Sequence, residues 1–243
     1  MTVRRIIRYW LDRPPAPEVD LGRCKYLLFD GTYLKKRHTA VVGIADPNHG
    51  TIVIGSYGLK EGEVRMISFC RGLADKGLEP ISVTIDGLKQ VQSMLVAIWP
   101  SVTIQRCLVH IQRQGLSWCR RDPHTAAVKH LRRLFDQVTR IHSATARDRF
   151  LDAWQAWETR FGQPIATRPE RGKVFSDVKR ARSLLLYALP HMFKYLEDPL
   201  IPRSTNWLEG YFSRLKSRYR HHRGLSPDNC ASYFRWYFHL CKT

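Results

Sequence analysis

The sequence predicts an α/β fold built on a mixed sheet, and three observations predict it. Three short β-rich runs follow one another between residues 25 and 57. Two further strand runs alternate with helical runs between residues 61 and 118. From residue 120 to 200 only helical spacing survives.

The elements follow in order. Thr2–Leu11 can form a helix before Pro14, Pro15 and Pro17, which favour an extended linker. With Arg4, Arg5, Arg8 and Arg13, residues 1–24 read as a basic arm. The compact part starts at Lys25. Tyr26-Leu27-Leu28-Phe29 is an apolar run that ends at Asp30-Gly31. Thr39–Ile44 is the second run, closed by the turn formers Asp46-Pro47-Asn48-His49-Gly50, and Ile52-Val53-Ile54 is the third. Short strands with tight connections suggest an antiparallel meander.

The period then changes. Val64, Ile67, Cys70, Ala74 and Leu78 fall near one helical face, with Gly77 near the stop. Ile81–Ile85 reads as a strand stopped by Asp86-Gly87. Leu88, Val91, Leu95 and Ile98 mark a helix ended by Pro100. Val102–Gln105 is a fifth strand, and Cys107 to Trp118 a further helix. The order β-β-β-α-β-α-β-α implies a sheet part antiparallel and part parallel, and it matches the core of the ribonuclease H-like fold.

Residues 120–202 read as an all-helical insertion of three or four helices, carried by Leu131, Leu134, Phe135, Val138 and Ile141, then Phe150, Leu151, Trp154 and Trp157, then Val178 to Ala188. Residues 203–243 hold two last helices that complete the core formed by residues 25–119. Asn206 is the expected cap of the first; Ser226-Pro227 opens the second. Its aromatics, Tyr233 to Phe238, are expected in the core, as are Trp154 and Trp157.

The chain has 243 residues, with 40 Lys and Arg against 21 Asp and Glu, for a formal charge of +19. That excess is the footprint of a polyanion binder, nucleic acid first among them. A 44% hydrophobic content excludes a fully disordered chain. No apolar run approaches the ~20 residues of a membrane helix, and the arginine-bearing start has no apolar signal segment. Cys24, Cys70, Cys107, Cys119, Cys230 and Cys241 form no C-x-x-C pair and read as reduced thiols.

Asp30 and Asp86 each follow an apolar strand and precede Gly. On the first and fourth strands of such a sheet they would face each other. Two carboxylates so placed suit divalent cations on a phosphodiester; Asp-Gly is also a common turn dipeptide. Glu209 admits two readings. With Asn206 it has capping-box spacing; it is also placed one turn into a helix, where it could complete a metal site.

Four segments in order carry a resemblance: Leu28-Phe29-Asp30-Gly31-Thr32-Tyr33, Thr84-Ile85-Asp86-Gly87, Arg106-Cys107-Leu108-Val109-His110 and Thr205-Asn206-Trp207-Leu208-Glu209-Gly210. Together they resemble a DDE transposase of the Mutator-like insertion-sequence family, over residues 25–222. The resemblance implies a ribonuclease H-like catalytic domain in which Asp30, Asp86 and Glu209 hold two Mg²⁺ or Mn²⁺ ions. Cys107 and His110 would be family-signature residues near the site. One C-x-x-H pair supplies two of the four ligands of a structural zinc, so zinc is not expected. The implied reaction is strand cleavage and strand transfer of an insertion element, on double-stranded DNA, by a homodimer in the bacterial cytoplasm, nucleoid-associated when bound to DNA. Two other readings stay open: a related nuclease that does not join, and an inactive DNA-binding remnant. With about 24 residues before the first strand, a shortened N-terminal region is expected.

Basic residues crowd the expected helix of Glu209: Arg203, Arg214, Lys216, Arg218, Arg220 and Arg223. A second set, Arg120, Arg121, Lys129, Arg132, Arg133 and Arg140, runs through the insertion. Few acids oppose them, so phosphate neutralisation accounts for them better than intrahelical pairing does.

Overall fold

The structure is a computed structural model that describes residues 2–13, 19–34, 40–59, 64–167, 172–222 and 224–242. Pro14, Pro15, Pro17, Thr39 and Arg223 lie outside the described residues. The elements are α1 Val3–Leu11, β1 Tyr26–Tyr33, β2 Ala40–Asp46, β3 Thr51–Tyr57, α2 Val64–Ala74, β4 Ser82–Ile85, α3 Lys89–Ile98, β5 Thr103–Arg106, α4 Leu108–Cys119, α5 Ala126–Gln137, α6 Ala144–Trp157, α7 Gln163–Thr167, α8 Gly172–Ala188, α9 Asn206–Tyr219 and α10 Pro227–Leu240. From β1 to α4 the order is β-β-β-α-β-α-β-α, as the periodicities predict. The chain forms two compact units, Met1–Ile104 with Leu200–Thr243, and Gln105–Pro199.

The five strands form one mixed sheet in the order β3-β2-β1-β4-β5. β1 pairs antiparallel with β2 and parallel with β4, and β2 pairs antiparallel with β3. Period-two alternation sorts the side chains of the first unit. Leu27, Phe29, Val83 and Ile85 point to one face, where they pack with Met66, Cys70 and Leu73 of α2 and Val91, Met94 and Leu95 of α3. Leu28, Ala45 and Ile52 serve the other face, packed with Leu208, Tyr211, Phe212 and Leu215 of α9 and Phe234, Tyr237 and Phe238 of α10. Truncating one such buried leucine to alanine costs about 2–5 kcal/mol.

Local chemistry sets the ends of these elements. Ser226 caps α10 by accepting from the Asn229 amide at 3.4 Å, with Pro227 in the first helical position. The chain beyond α10 returns to the sheet, where the Ile52 amide donates to the Lys242 carbonyl at 2.8 Å. β3 is an edge strand, so this bond covers part of its open edge. α1 leans on α10 through the Trp236 indole, which donates to the Trp10 carbonyl at 3.0 Å.

The second unit has its own core, with Leu108 and Ile111 of α4, Leu131 and Phe135 of α5, Phe150, Trp154 and Trp157 of α6, and Ala181 and Leu185 of α8. The tryptophans of α6 and Phe234, Tyr237 and Phe238 of α10 are buried, as their helical spacing predicts. Thr125 caps α5 and Ser143 caps α6 through their side chains. Between α6 and α7 the chain makes one π-helical turn, Glu158–Gly162. All six cysteines are free thiols, five of them buried. Among the described residues no helix is long and apolar enough to cross a membrane.

Two sequence expectations are corrected. Asp30-Gly31 does not end the first strand: β1 continues to Tyr33, with Gly31 paired to Val42 and Thr32 to Val41. Gly31 keeps strand geometry because pairing with β2 holds it extended. Asn206 does not cap α9: it is the first helical residue, and Thr205 holds the cap position with no capping bond from its side chain. Asn206 and Glu209 therefore do not form a capping box.

Candidate functional site

The site is built on β1 and β4. Their parallel register pairs Leu27 with Val83 and Leu28 with Thr84. Asp30 lies two residues further along β1, and Asp86 is the first residue past the end of β4. Because side chains alternate along β1, Asp30 lies on the face of Leu28 and not on that of Phe29. That is the face covered by α9. The Thr84 hydroxyl donates to the Pro202 carbonyl, which ties the approach to α9 to the same face.

The two carboxylates differ in setting. Asp30 is 7% exposed and sits inside a strand, opposite Gly43 of β2, with its Oδ1 accepting from the Gly31 amide at 2.8 Å. Asp86 is half-buried and follows the last residue of β4. Its Oδ1 accepts from the Leu88 amide at 3.1 Å, just ahead of α3, while Gly87 adopts φ 109°. Asp86 is thus a turn former, and the turn is what aims it from the strand end.

The helix of Glu209 meets this face through close packing at Gly43. A Cβ on Gly43 would lie 3.0 Å from Phe212 Cζ and 3.2 Å from Leu208 Cδ1 of α9. Gly43 is the cross-strand partner of Asp30, so α9 crosses the sheet at the level of the buried aspartate. Glu209 follows Leu208 directly, in the first turn of α9; it is half-buried, with Oε1 shielded from solvent. Asp30, Asp86 and Glu209 thus belong to one unit, with Asp30 on the sheet face that α9 covers. Gly43 was not singled out from the sequence. Its signal was present, since a lone glycine inside a strand marks a close approach of another element.

Below Glu209 the aromatic packing is dense. Burial pushes the Tyr211 hydroxyl far above the usual tyrosine range. Burial, then the contact with Cys230, pushes Tyr219 up to about 12.

The donor set consists of carboxylate oxygens, which suits hard divalent cations such as Mg²⁺. Among the described residues, no group of three or more His, Cys, Asp and Glu side chains is spaced to hold a metal ion. The fit thus rests on donor type.

Cys107 and His110 belong to the second unit. Cys107 is fully buried at the N-cap of α4, and His110 follows one turn later, half-buried. The Ile111 amide donates to the Cys107 carbonyl at 3.2 Å, so the residue starts the helix through its backbone.

The basic residues of α9 divide by face. Leu208, Tyr211, Phe212, Leu215 and Tyr219 face the core, which leaves Arg214 and Arg218 in solvent; Arg220 continues in the 3-10 turn and Lys216 is half-buried. Arg203 is exposed in the loop before α9. Arg218 has a structural share: it donates to Cys241 Sγ at 2.9 Å and lies 5.8 Å from the Tyr237 ring centre. Arg214 lies 5.8 Å from the Tyr211 ring centre.

Known proteins resemble this chain along most of its length. The family described as "Transposase, Mutator family" matches residues 10–232. A probable transposase for an insertion sequence element from Corynebacterium diphtheriae is 26% identical, over 74% of this chain and 48% of the relative. The transposase for insertion sequence element IS905 of Lactococcus lactis is 22% identical, over 78% of this chain and 46% of the relative. That for IS406 of Burkholderia multivorans is 24% identical, over 92% and 55%. The chain spans about half the length of these curated relatives. With a family match that runs from the end of α1 into α10, the chain belongs to the Mutator family of transposases.

Proposed function

We propose that the chain is the DDE-type catalytic part of an insertion-sequence transposase, with a ribonuclease H-like core, and that it cuts and joins DNA strands. The observation that carries this reading is the buried Asp30 beside Gly43, the residue on which α9, the helix of Glu209, is seated, with Asp86 just past the end of neighbouring β4. Asp30, Asp86 and Glu209 would hold Mg²⁺ or Mn²⁺. When bound, such ions supply Lewis-acid activation of the nucleophile and stabilisation of the leaving oxygen.

The chain's own groups prepare that chemistry. Asp30 is fixed by its strand and by the Gly31 amide, and Asp86 by its turn, so neither needs to reorganise. Arg203, Arg214, Lys216 and Arg220 would hold phosphates of double-stranded DNA beside the carboxylates, with Arg223 as a further member of the set. Cys107 and His110 would be family-signature residues near the site, and two copies would pair the two element ends.

The test uses plasmid DNA carrying the element ends. Metal-dependent cleavage followed by joining of 3′ ends to target DNA is the expected result, lost in EDTA and in Asp86→Ala. Undiminished activity in Asp86→Ala overturns the assignment. Cleavage without joining would instead mark a nuclease, and salt-sensitive binding without turnover a DNA-binding remnant.

A further inference from the structure

The helical unit holds a cleft that the carboxylate site does not use. It lies between α5 and α6 with a volume of about 360 Å³, within the range of about 300–1,000 Å³ typical of small-ligand sites. Leu134, Trp157 and Phe161 provide apolar and aromatic lining, and His130, Arg133 and Arg160 provide cationic or ionisable lining. No carboxylate lines it. Ala153 and Ala156 keep the α6 wall low.

The aromatic lining is held firmly. Trp157 stacks on Trp154 at 5.4 Å, and its indole donates to the Ala127 carbonyl at 2.8 Å. Phe161 lies in the π-helical turn, a feature frequent at functional sites. That turn is fixed by Glu158, which accepts two bonds from Arg182 Nε at 3.0 and 2.9 Å and a third from Nη2. Gly162 has no room for a side chain against Glu158. The turn thus presents Phe161, half-buried, with His130 at 5.8 Å and the exposed Arg160 guanidinium 5.1 Å from its centre.

An aromatic surface ringed by exposed cations complements a planar group attached to an anionic backbone. Bases stack on aromatic rings without sequence preference, and arginines take the phosphates. A plain apolar partner would leave Arg133 and Arg160 facing it without counter-charge. We infer that the cleft between α5 and α6 binds an unpaired base of a DNA strand, with Phe161 as stacking surface and Arg133 and Arg160 on the flanking phosphates. The choice of DNA over RNA rests on the proposed function; the base site itself does not depend on the carboxylates.

The test measures binding of the full chain, in EDTA, to a short labelled DNA strand, the same strand with abasic sites, the duplex, and an RNA strand of the same sequence. The base-bearing strand is expected to bind about tenfold more tightly than the abasic one and to quench tryptophan emission. Phe161→Leu, and Ala156→Trp, which fills the cleft from an exposed position, are each expected to remove that preference and leave duplex affinity unchanged, with circular dichroism confirming the fold. Arg133→Ala should weaken both single strands. Equal affinity for base-bearing and abasic strands, or a preference that survives Ala156→Trp, overturns the base site; tighter binding of RNA overturns the choice of DNA. Since no metal is present, failure here leaves strand cleavage untouched, and absence of cleavage leaves this site standing.

Discussion

Asp30 pairs with Gly43 across the antiparallel strands β1 and β2, and Asp86 follows the last residue of β4, the strand on the other side of β1. Neighbouring strands lie about 4.8 Å apart, so like charges carried close together on them repel. With Asp30 buried and Asp86 half-buried, such repulsion is a cost that a divalent cation relieves. Asn keeps the acceptor oxygen that each carboxylate offers to Gly31 or Leu88 and removes the charge. In EDTA, Asp30→Asn is therefore expected to stabilise the chain by about 0.5–1 kcal/mol. With Mg²⁺ or Mn²⁺ the order reverses: the wild type gains thermal stability with added metal and the variant does not. Calorimetric melting with and without metal checks both signs. Equal metal responses would remove Asp30 from the ligand set.

The contact at Gly43 couples the sheet to the helix of Glu209. An added methyl must displace Phe212 or Leu208 by a few tenths of an ångström, and a valine by more. Gly43→Ala is expected to cost about 1 kcal/mol and Gly43→Val about 2–3 kcal/mol, within the range for overpacked cores. Because Gly43 pairs with Asp30, the valine should also reduce metal-dependent cleavage more than it reduces DNA binding. Denaturant melts combined with a cleavage-to-binding ratio check this. A valine variant with wild-type cleavage would disconnect α9 from the site.

The arginines of α9 separate by role. Arg214 and Arg220 are exposed, whereas Arg218 is engaged with Cys241 and Tyr237. Arg214→Ala and Arg220→Ala should each lower the slope of log affinity against log salt by about 0.9 on duplex DNA, with melting temperature unchanged. Arg218→Ala should additionally destabilise the chain by about 1 kcal/mol, since a charged donor is lost. Titrations at several salt concentrations, paired with thermal melts, distinguish the two classes.

Much of the stretch from β1 to α4 was legible because its strands alternate and its helices repeat near 3.6 residues. The order from Tyr26 to Cys119 follows from those periods. What stayed hidden depends on partners distant in sequence. The pairing of Gly31 with Val42 overrides a local Asp-Gly turn signal. The seating of Leu208 and Phe212 on Gly43 joins residues far apart in the chain, which no local pattern encodes. The aspartates were legible as chemistry, while the adjacency of their strands required the parallel pairing of β1 with β4. The π-helical turn at Glu158–Gly162 was invisible because an ion pair with Arg182 on α8 holds it.

The buried thiols give the chain a defined alkaline limit. Burial pushes Cys70 and Cys119 up to about 12, and burial reinforced by Asp46 and Asp20 pushes Cys24 up to about 11. In the unfolded chain these thiols ionise near the ordinary value of 9.0. Between pH 9 and 11 the unfolded state therefore holds fewer protons than the native state, and stability falls as pH rises. Each thiol contributes a slope of about 1.4 kcal/mol per pH unit in that window, and nothing below it. Melting temperature should be level in this respect from pH 7 to 8.5 and then decline, less steeply in Cys70→Ala once its cavity cost is subtracted at pH 7. The same burial predicts reactivity: at pH 8 iodoacetamide should modify half-exposed Cys241 in the native chain and the other five only in denaturant. Mass spectrometry of native and denatured samples checks it, and rapid native labelling of Cys70 would contradict the packing of α2 against the sheet.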